Sequence, residues 1–183
     1  MKKILLAGLA ATTLALSTGA QAATFTYLDY GFGKIDPDNR NPSDDGYSSL
    51  SGAFELGNGP FIAAESTEYG SLDVTAIGAG IYAPVGRASS LFGLLQLVKA
   101  DWGNNNDETG YRFTAGLRSS LADRLEFEGK IKYDDVYRET DSSFALGLRY
   151  YMTKNFSIGA NYDVAQFSQN DQNAFFASLR LAL

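Results

Sequence analysis

Apolar and polar side chains alternate almost without interruption from Thr24 to Leu183. The alternating segments are about 9–11 residues long, which is the length that a tilted strand needs to cross a bilayer. In one of them, Phe144, Leu146 and Leu148 alternate with Gly147 and Arg149. A period of two places these sets on opposite faces of a strand. The pattern predicts a closed antiparallel up-and-down transmembrane β-barrel with an apolar face toward lipid and a polar face toward the lumen.

The composition is compatible with membrane strands. Hydrophobic residues make up 45% of the 183 residues, and the mean hydropathy is only −0.15. Beyond residue 22, no segment approaches the roughly 18 consecutive apolar residues of a transmembrane helix. Membrane strands have low mean hydropathy because about half of their residues face a polar lumen. The chain length fits one domain.

The N-terminus has the three parts of a secretory signal peptide. Lys2 and Lys3 form a positive region, Ile4–Leu16 is apolar, and Ala20-Gln21-Ala22 is an A-x-A cleavage site. We therefore expect a signal peptide over 1–22, export through the Sec pathway, and a barrel over 23–183. A short membrane anchor or the first helix of a soluble domain are the alternatives.

The alternation and the turn residues divide the mature chain into about ten strands, with eight as the alternative if Phe61–Ala83 is divided too finely. The predicted strands are Thr24–Ile35, Tyr47–Leu56, Phe61–Tyr69, Val74–Ala83, Leu91–Ala100, Tyr111–Leu121, Leu125–Tyr133, Ser143–Met152, Phe156–Phe167 and Asn173–Leu183.

Long polar connections alternate with tight ones, as in barrels with short periplasmic turns and longer extracellular loops. An even strand number then places both chain ends on the short-turn side. The predicted loops are Asp36–Gly46, Trp102–Gly110 and Asp134–Ser142, and the tight links are Gly57–Pro60, Leu121–Arg124 and Met152–Asn155.

Three stretches of the chain resemble the small outer-membrane β-barrel proteins of Gram-negative bacteria, the porin-like family that includes OmpA- and OmpX-type barrels. They are Tyr27–Phe32, Gly116–Arg118 leading into Leu125–Phe127, and the closing run Phe175–Leu183. The resemblance covers the whole mature chain and identifies the class rather than one member. Such barrels usually end on an aromatic residue, whereas this chain ends on Leu183.

The residue types present argue against catalysis. The barrel enzymes that resemble this architecture depend on histidine, the most common general base near neutral pH, and this chain has no histidine and no cysteine. The carboxylate pairs Glu126 with Glu128 and Asp134 with Asp135 are more typical of salt bridges. We expect no enzyme activity, no cofactor and no metal site. Without Lys2 and Lys3, 13 basic residues remain against 21 acidic ones, so the net charge of −8 also excludes nucleic acid as a partner.

Charged residues of both signs occupy the polar parity, where an unpaired buried charge costs several kcal/mol. The sequence predicts a lumen charge network of Asp29, Glu65, Arg112, Arg118, Glu126, Glu128, Lys130, Lys132, Arg149, Asp163 and Arg180.

Such a network favours a filled lumen and a structural or surface-interaction role through short acidic loops. The alternative is a narrow porin that passes ions or small polar solutes. A soluble, lipocalin-like barrel would need the opposite polarity. The expected partners are outer-membrane lipid and lipopolysaccharide, the barrel assembly machinery and periplasmic chaperones.

Overall fold

The computed structural model describes residues 25–37, 46–70, 72–101, 107–136, 139–167 and 170–183. The predicted signal peptide lies outside these residues and stays a prediction. No helix in the described ranges is long and apolar enough to cross a membrane. Ten strands are present: β1 Tyr27–Pro37, β2 Gly46–Glu55, β3 Pro60–Tyr69, β4 Leu72–Val85, β5 Ser89–Asp101, β6 Asp107–Ala122, β7 Leu125–Val136, β8 Glu139–Tyr151, β9 Phe156–Phe167 and β10 Asn170–Ala182.

The ten strands form one closed antiparallel barrel, which confirms the predicted fold class and the strand number of ten. Each strand pairs with its neighbours in the chain, and β1 closes the barrel against β10. Tyr27 lies opposite Ala53 of β2 on one side and opposite Ala182 of β10 on the other. Closure pairs every strand on both sides, so the sheet exposes no edge for association with other strands.

The two ends of the barrel differ in their connections. The short-turn rim carries the turns 56–59, 86–88, 123–124 and 152–155. Both ends of the described chain also lie there, where the Leu183 amide donates a hydrogen bond to the Thr26 carbonyl oxygen at 3.1 Å. The strand ends that border the undescribed residues 38–45 and 102–106 lie at the opposite rim.

One predicted loop is wrong in most of its length. Asp134–Ser142 was expected to be a long connection, but β7 continues to Val136 and β8 begins at Glu139. Strand pairing persists here because Asp134 turns inward onto Arg112, while Asp135 accepts a hydrogen bond from the Tyr111 hydroxyl on the other face. Two acidic residues that resemble loop composition therefore have partners on the neighbouring strand β6.

The outer face of the barrel is apolar, as the alternation predicts. Large hydrophobic side chains point outward from every strand, and a continuous apolar surface of this kind is suited to lipid rather than water. Leu117 and Phe127 are half-buried, and the Phe127 ring lies against Gly129. The alternation also places Ile131, Leu146, Leu148, Ile158 and Leu179 on the outer face, and these residues are exposed.

The lumen is less uniformly polar than the sequence suggested. A cluster of buried apolar side chains faces inward near the opposite rim, mostly from β4 and β5. Here the inward positions of β4 and β5 are apolar while Asp73, Thr75 and Lys99 lie on the outer face, so polarity alone does not separate lipid from lumen at these strand ends. The members are Leu72, Val74, Ala76, Val98, Ala100 and Val136.

Leu146 and Gly147 test which face of β8 meets lipid. Leu146 lies near the middle of β8 with 45% of its surface exposed, and Gly147 faces the lumen. We expect Leu146→Arg to lower the free energy of unfolding in lipid by about 2–4 kcal/mol, the cost of arginine at the bilayer midplane. Gly147→Ser should have a smaller effect, because its added atoms meet the movable Asn161 side chain. Urea unfolding in phospholipid vesicles measures both, and equal losses would contradict the assignment.

A substitution at Gly78 tests how closely β4 and β5 must approach each other in the barrel wall. A Cβ atom on Gly78 would overlap the Leu95 carbonyl oxygen across the strand pair, whereas a Cβ on Gly93 would meet nothing within 4 Å. Backbone can shift only at a cost, so Gly78→Ala should destabilise the barrel by about 1–3 kcal/mol. Gly93→Ala, the matched control on the neighbouring strand, should stay within about 0.5 kcal/mol of the parent in the same unfolding measurement. A tolerated Gly78→Ala would show that the wall relaxes easily.

Candidate functional site in the barrel lumen

All eleven residues of the predicted charge network face the lumen. Seven of them are buried, and the side chains of the other four are between 11% and 31% exposed. The buried members are Asp29, Arg112, Arg118, Glu126, Arg149, Asp163 and Arg180, and the partly exposed members are Glu65, Glu128, Lys130 and Lys132. Contacts divide them into two groups, one toward each rim.

The group toward the short-turn rim, here the lower network, is centred on Asp29 at the start of β1. Its Oδ2 atom accepts hydrogen bonds from Arg149 Nη2 at 2.7 Å and from Arg180 Nε at 2.9 Å. Arg149 also donates to Ser157 and Ser178. Asp29 therefore joins β8 and β10 across the barrel closure, and one carboxylate compensates two buried guanidinium groups.

Arg118 forms the second half of the lower network. Its Nε and Nη2 atoms donate to Glu128 Oε2 at 2.9 and 2.6 Å, and Glu126 Oε1 lies 3.8 Å away. Glu128 also contacts Lys130 Nζ at 3.1 Å. Arg180 joins the two halves, since its Nη1 lies 3.4 Å from Glu126 Oε1. The lower network is thus one connected set of both charge signs.

Aromatic rings complete the lower end of the lumen. The aromatic cluster consists of Phe25, Phe61, Tyr82 and Phe92. The Phe25 ring stacks on Tyr82 with 4.4 Å between centroids and lies 4.9 Å from Phe61 and 5.6 Å from Phe92. The Arg118 guanidinium carbon sits 4.5 Å above the Phe25 ring, within the range of cation–π attraction. The charged half and the aromatic half of this mouth are therefore in direct contact.

The upper network lies toward the opposite rim. Arg112 binds both Glu65 and Asp134. Its Nε atom lies 2.5 Å from Oδ1 of Asp134. Separately, Lys132 Nζ lies 2.7 Å from Asp163 Oδ2. The Tyr47 ring packs beside these pairs. Its centroid lies 4.3 Å from that of Phe176 and 5.2 Å from that of Tyr69. Ion pairs and rings together narrow this end as well.

A polar chamber lies between the two networks. Its cavity volume is about 110 Å³, which is enough for several waters at roughly 10–15 Å³ each. The chamber exists because mid-strand residues on the inner face are small. Oδ1 of Asp29 and Oδ1 of Asp163 are buried and accept no hydrogen bond from the described residues, which suits hydration. The small lining residues include Gly31, Ser51, Ala63, Ala145, Gly147 and Ser178.

The carboxylate pairs considered for catalysis are differently placed. Glu126 and Glu128 both face the lumen, but each has an arginine neighbour. Asp134 and Asp135 are adjacent in a strand and so point to opposite faces. Neither pair presents two free carboxyl groups to a common point.

Sequence reasoning did not identify the aromatic cluster or the chamber. The alternation places Phe25, Tyr82 and Phe92 in strands, and each lies on the inward parity near a strand end. The available signal was the inward position of large rings at the end of the barrel where the chain begins. Glycine, serine and alanine on the inward parity of the strand centres were the corresponding signal for the chamber.

A substitution at Asp29 tests how much the lower network contributes to the free energy of unfolding. Asp29→Ala leaves Arg149 and Arg180 without their shared carboxylate, and loss of one partner from a buried ion pair typically costs about 3–5 kcal/mol. The exposed pair of Lys99 with Asp107, 3.2 Å apart, provides the control. Lys99→Ala should cost about 1 kcal/mol or less. Urea unfolding in vesicles compares the two, and similar small losses would show that water compensates the arginines.

The chain matches no protein-family model and no curated protein. Among solved structures it is similar to the NanC porin, at 11% identity and a TM-score of 0.56 over 85% of this chain and 100% of that one. It is also similar to the KdgM porin, at 12% identity and a TM-score of 0.52 over 86% and 99%. Identities this low show the fold alone, and that fold, a closed antiparallel β-barrel, is the one that the sequence predicts.

Proposed function

We propose that this protein is an integral outer-membrane barrel that acts as a narrow, normally closed porin for ions and small polar solutes. The observation that supports this most directly is the polar chamber of about 110 Å³ held between the lower and upper networks. A lumen that served only as a rigid core would gain from larger side chains at these positions, because empty space forfeits packing energy. Small residues in mid-lumen instead leave room for water and solute.

The membrane placement follows from the two faces. The apolar outer face suits lipid, and short turns lie on the periplasmic side in barrels of this class. The short-turn rim and the lower network would then be periplasmic, and the opposite rim extracellular. Under this proposal the chain reaches the outer membrane after Sec export and signal removal. Periplasmic chaperones and the barrel assembly machinery are its partners on the way, and lipid and lipopolysaccharide surround it afterwards.

The mixed charge of the lumen limits what it can pass. Each network contains acids and bases in contact, so neither end presents a ring of one sign. Selectivity filters for ions of one charge usually do present such a ring. We therefore expect weak ion selectivity and a sharp size limit.

A structural or surface-interaction role is the second candidate. The observation that favours it is that side chains fill both ends of the lumen. The 36–46 stretch also carries four aspartates, which would give the extracellular rim an acidic surface able to meet cations. In this case the barrel would be an anchor and its lumen would never open.

Arg118 and Arg149 distinguish the two candidates. Removing either side chain opens space in the lower network and frees a carboxylate partner. Arg118→Ala and Arg149→Ala should therefore raise the conductance or the open fraction above that of the wild type in planar lipid bilayers. Lys99→Ala, which removes an exposed charge, is the control and should leave conductance unchanged.

Two results would change the proposal. A large, constantly open conductance in the wild type would show that the networks do not close the lumen. Silence in the wild type and in both arginine variants, with folded barrels in each case, would replace the porin with the surface-interaction role.

A further inference from the structure

We propose that Phe25 is a removable stopper of the short-turn mouth, and that this mouth opens when the N-terminal segment withdraws rather than when the barrel wall deforms. The proposal rests on the proposed function for its biological meaning, while its geometry can be tested separately. Phe25 precedes β1 and is only 1% exposed. Residues that precede the first strand of a domain are usually poorly ordered unless a specific site holds them.

The site that holds Phe25 is built from several strands. Tyr82 of β4 stacks flat on the ring at 9° between planes, while Phe92 of β5 meets it edge-on at 66°. Phe61 of β3 contacts it at an intermediate angle. Arg118 of β6 covers it on the charged side of the mouth. The ring therefore spans the lumen between the aromatic wall and the lower network, which is the position of a stopper.

Phe25 differs from its neighbours in how it is attached. Among the described members of the buried cluster around it, every other residue lies in a strand, so only Phe25 can leave without breaking strand pairing. Thr26 provides the pivot. Its Oγ1 accepts the Glu55 amide at 3.1 Å, and its carbonyl oxygen accepts the Leu183 amide at 3.1 Å. These bonds fix the direction of the segment while the ring itself is held by contacts alone.

Withdrawal of the ring has a defined consequence. Tyr82 remains attached to the wall through its hydroxyl, which donates to Glu55, and Arg118 remains bound to Glu128. The space that Phe25 occupied then connects the chamber to the short-turn rim. Opening of this mouth needs no rearrangement of the lower network.

Accessibility of the chamber provides the test, because the chain contains no cysteine. We would place one reporter, Ser51→Cys, at a position that lines the chamber on β2. The folded protein in detergent is treated with the cationic thiol reagent trimethylammonioethyl methanethiosulfonate, and the labelling rate is measured by mass. Combined with Phe25→Ala, the reporter should label about tenfold faster or more, since loss of even one aromatic pair shifts an opening equilibrium by this order.

Two further variants provide the controls. Phe32→Ala removes an aromatic ring from the lipid face of β1, the strand that follows Phe25, and it should leave the labelling rate unchanged. Phe25→Leu keeps an apolar side chain without the ring contacts and should give an intermediate rate. Heat-modifiable migration on gels verifies that each barrel is folded.

Each remaining outcome overturns the stopper. A labelling rate within about twofold of the parent in Phe25→Ala shows that the ring does not limit access. Equal acceleration by Phe32→Ala shows general loosening. Rapid labelling of the parent shows a chamber that is already open. Failure of both Phe25 variants to fold shows that the residue is part of barrel assembly.

Conductance measurements on the same variants distinguish the stopper proposal from the proposed porin function. Faster labelling with no conductance in any variant refutes the porin and leaves the stopper intact. Conductance in the wild type with unchanged labelling in Phe25→Ala refutes the stopper and leaves the porin intact.

Discussion

The structure depends on charge compensation inside a barrel only slightly wider than its own side chains. Lipid on the outside requires apolar residues there, so charged residues near the strand centres turn inward, where an isolated ion costs several kcal/mol. Strand β7 illustrates the solution, because its inner face carries acids and bases in succession, from Glu126 and Glu128 through Lys130 and Lys132 to Asp134. Partners on β6, β9 and β10 then neutralise Glu126, Glu128, Lys132 and Asp134, while Lys130 pairs with Glu128 of the same strand.

The lumen is divided between two kinds of interaction. Strands β6 to β10 contribute most of the ion pairs, whereas β2 to β5 contribute rings and aliphatic side chains. Arg118 joins the two sides at the lower end, since it binds Glu128 and also stacks on Phe25. Guanidinium is suited to this position, because it forms a planar pair with a carboxylate and presents a flat face to an aromatic ring. Lysine at the same position could supply the charge but not both geometries.

Most of the fold could be predicted from the sequence, because the period of two is a local signal that each strand repeats. The strand number, the closure and the lipid-facing side of β8 all follow from it. The prediction failed at Asp134–Ser142, where acidic residues resembled a loop although Arg112 and Tyr111 hold them in strand pairing. Composition identifies a polar residue but not whether a neighbouring strand supplies its partner.

The candidate site was predictable only as a set of inward residues. Which of them meet depends on strand tilt and stagger, so Asp29 pairs with Arg149 at a separation of 120 residues that no local pattern encodes. The chamber and the aromatic cluster depend on the sizes of side chains that lie at the same level along the barrel axis. Which residues share a level is set by the strand stagger, which the sequence alone does not give. The alternation places Phe25 on the inward parity of the predicted strand Thr24–Ile35, but it does not show that β1 begins only at Tyr27 and leaves Phe25 outside strand pairing.

These contacts also rank the ways in which the lower mouth could open. Breaking the lower network would leave buried charges unpaired, at a free-energy cost of about 3–5 kcal/mol for each partner removed. Withdrawing one phenyl ring exposes a single apolar side chain, at about 1.5–3 kcal/mol, with about 0.5–1.5 kcal/mol more for each aromatic pair lost. The two routes are of similar order for one ion pair. The lower network, however, shares Asp29 between two arginines, and Arg180 connects it to Glu126. Neither Asp29 nor Arg180 can separate without breaking more than one ion pair, whereas Phe25 is a single ring, so the N-terminal segment is the less costly moving part.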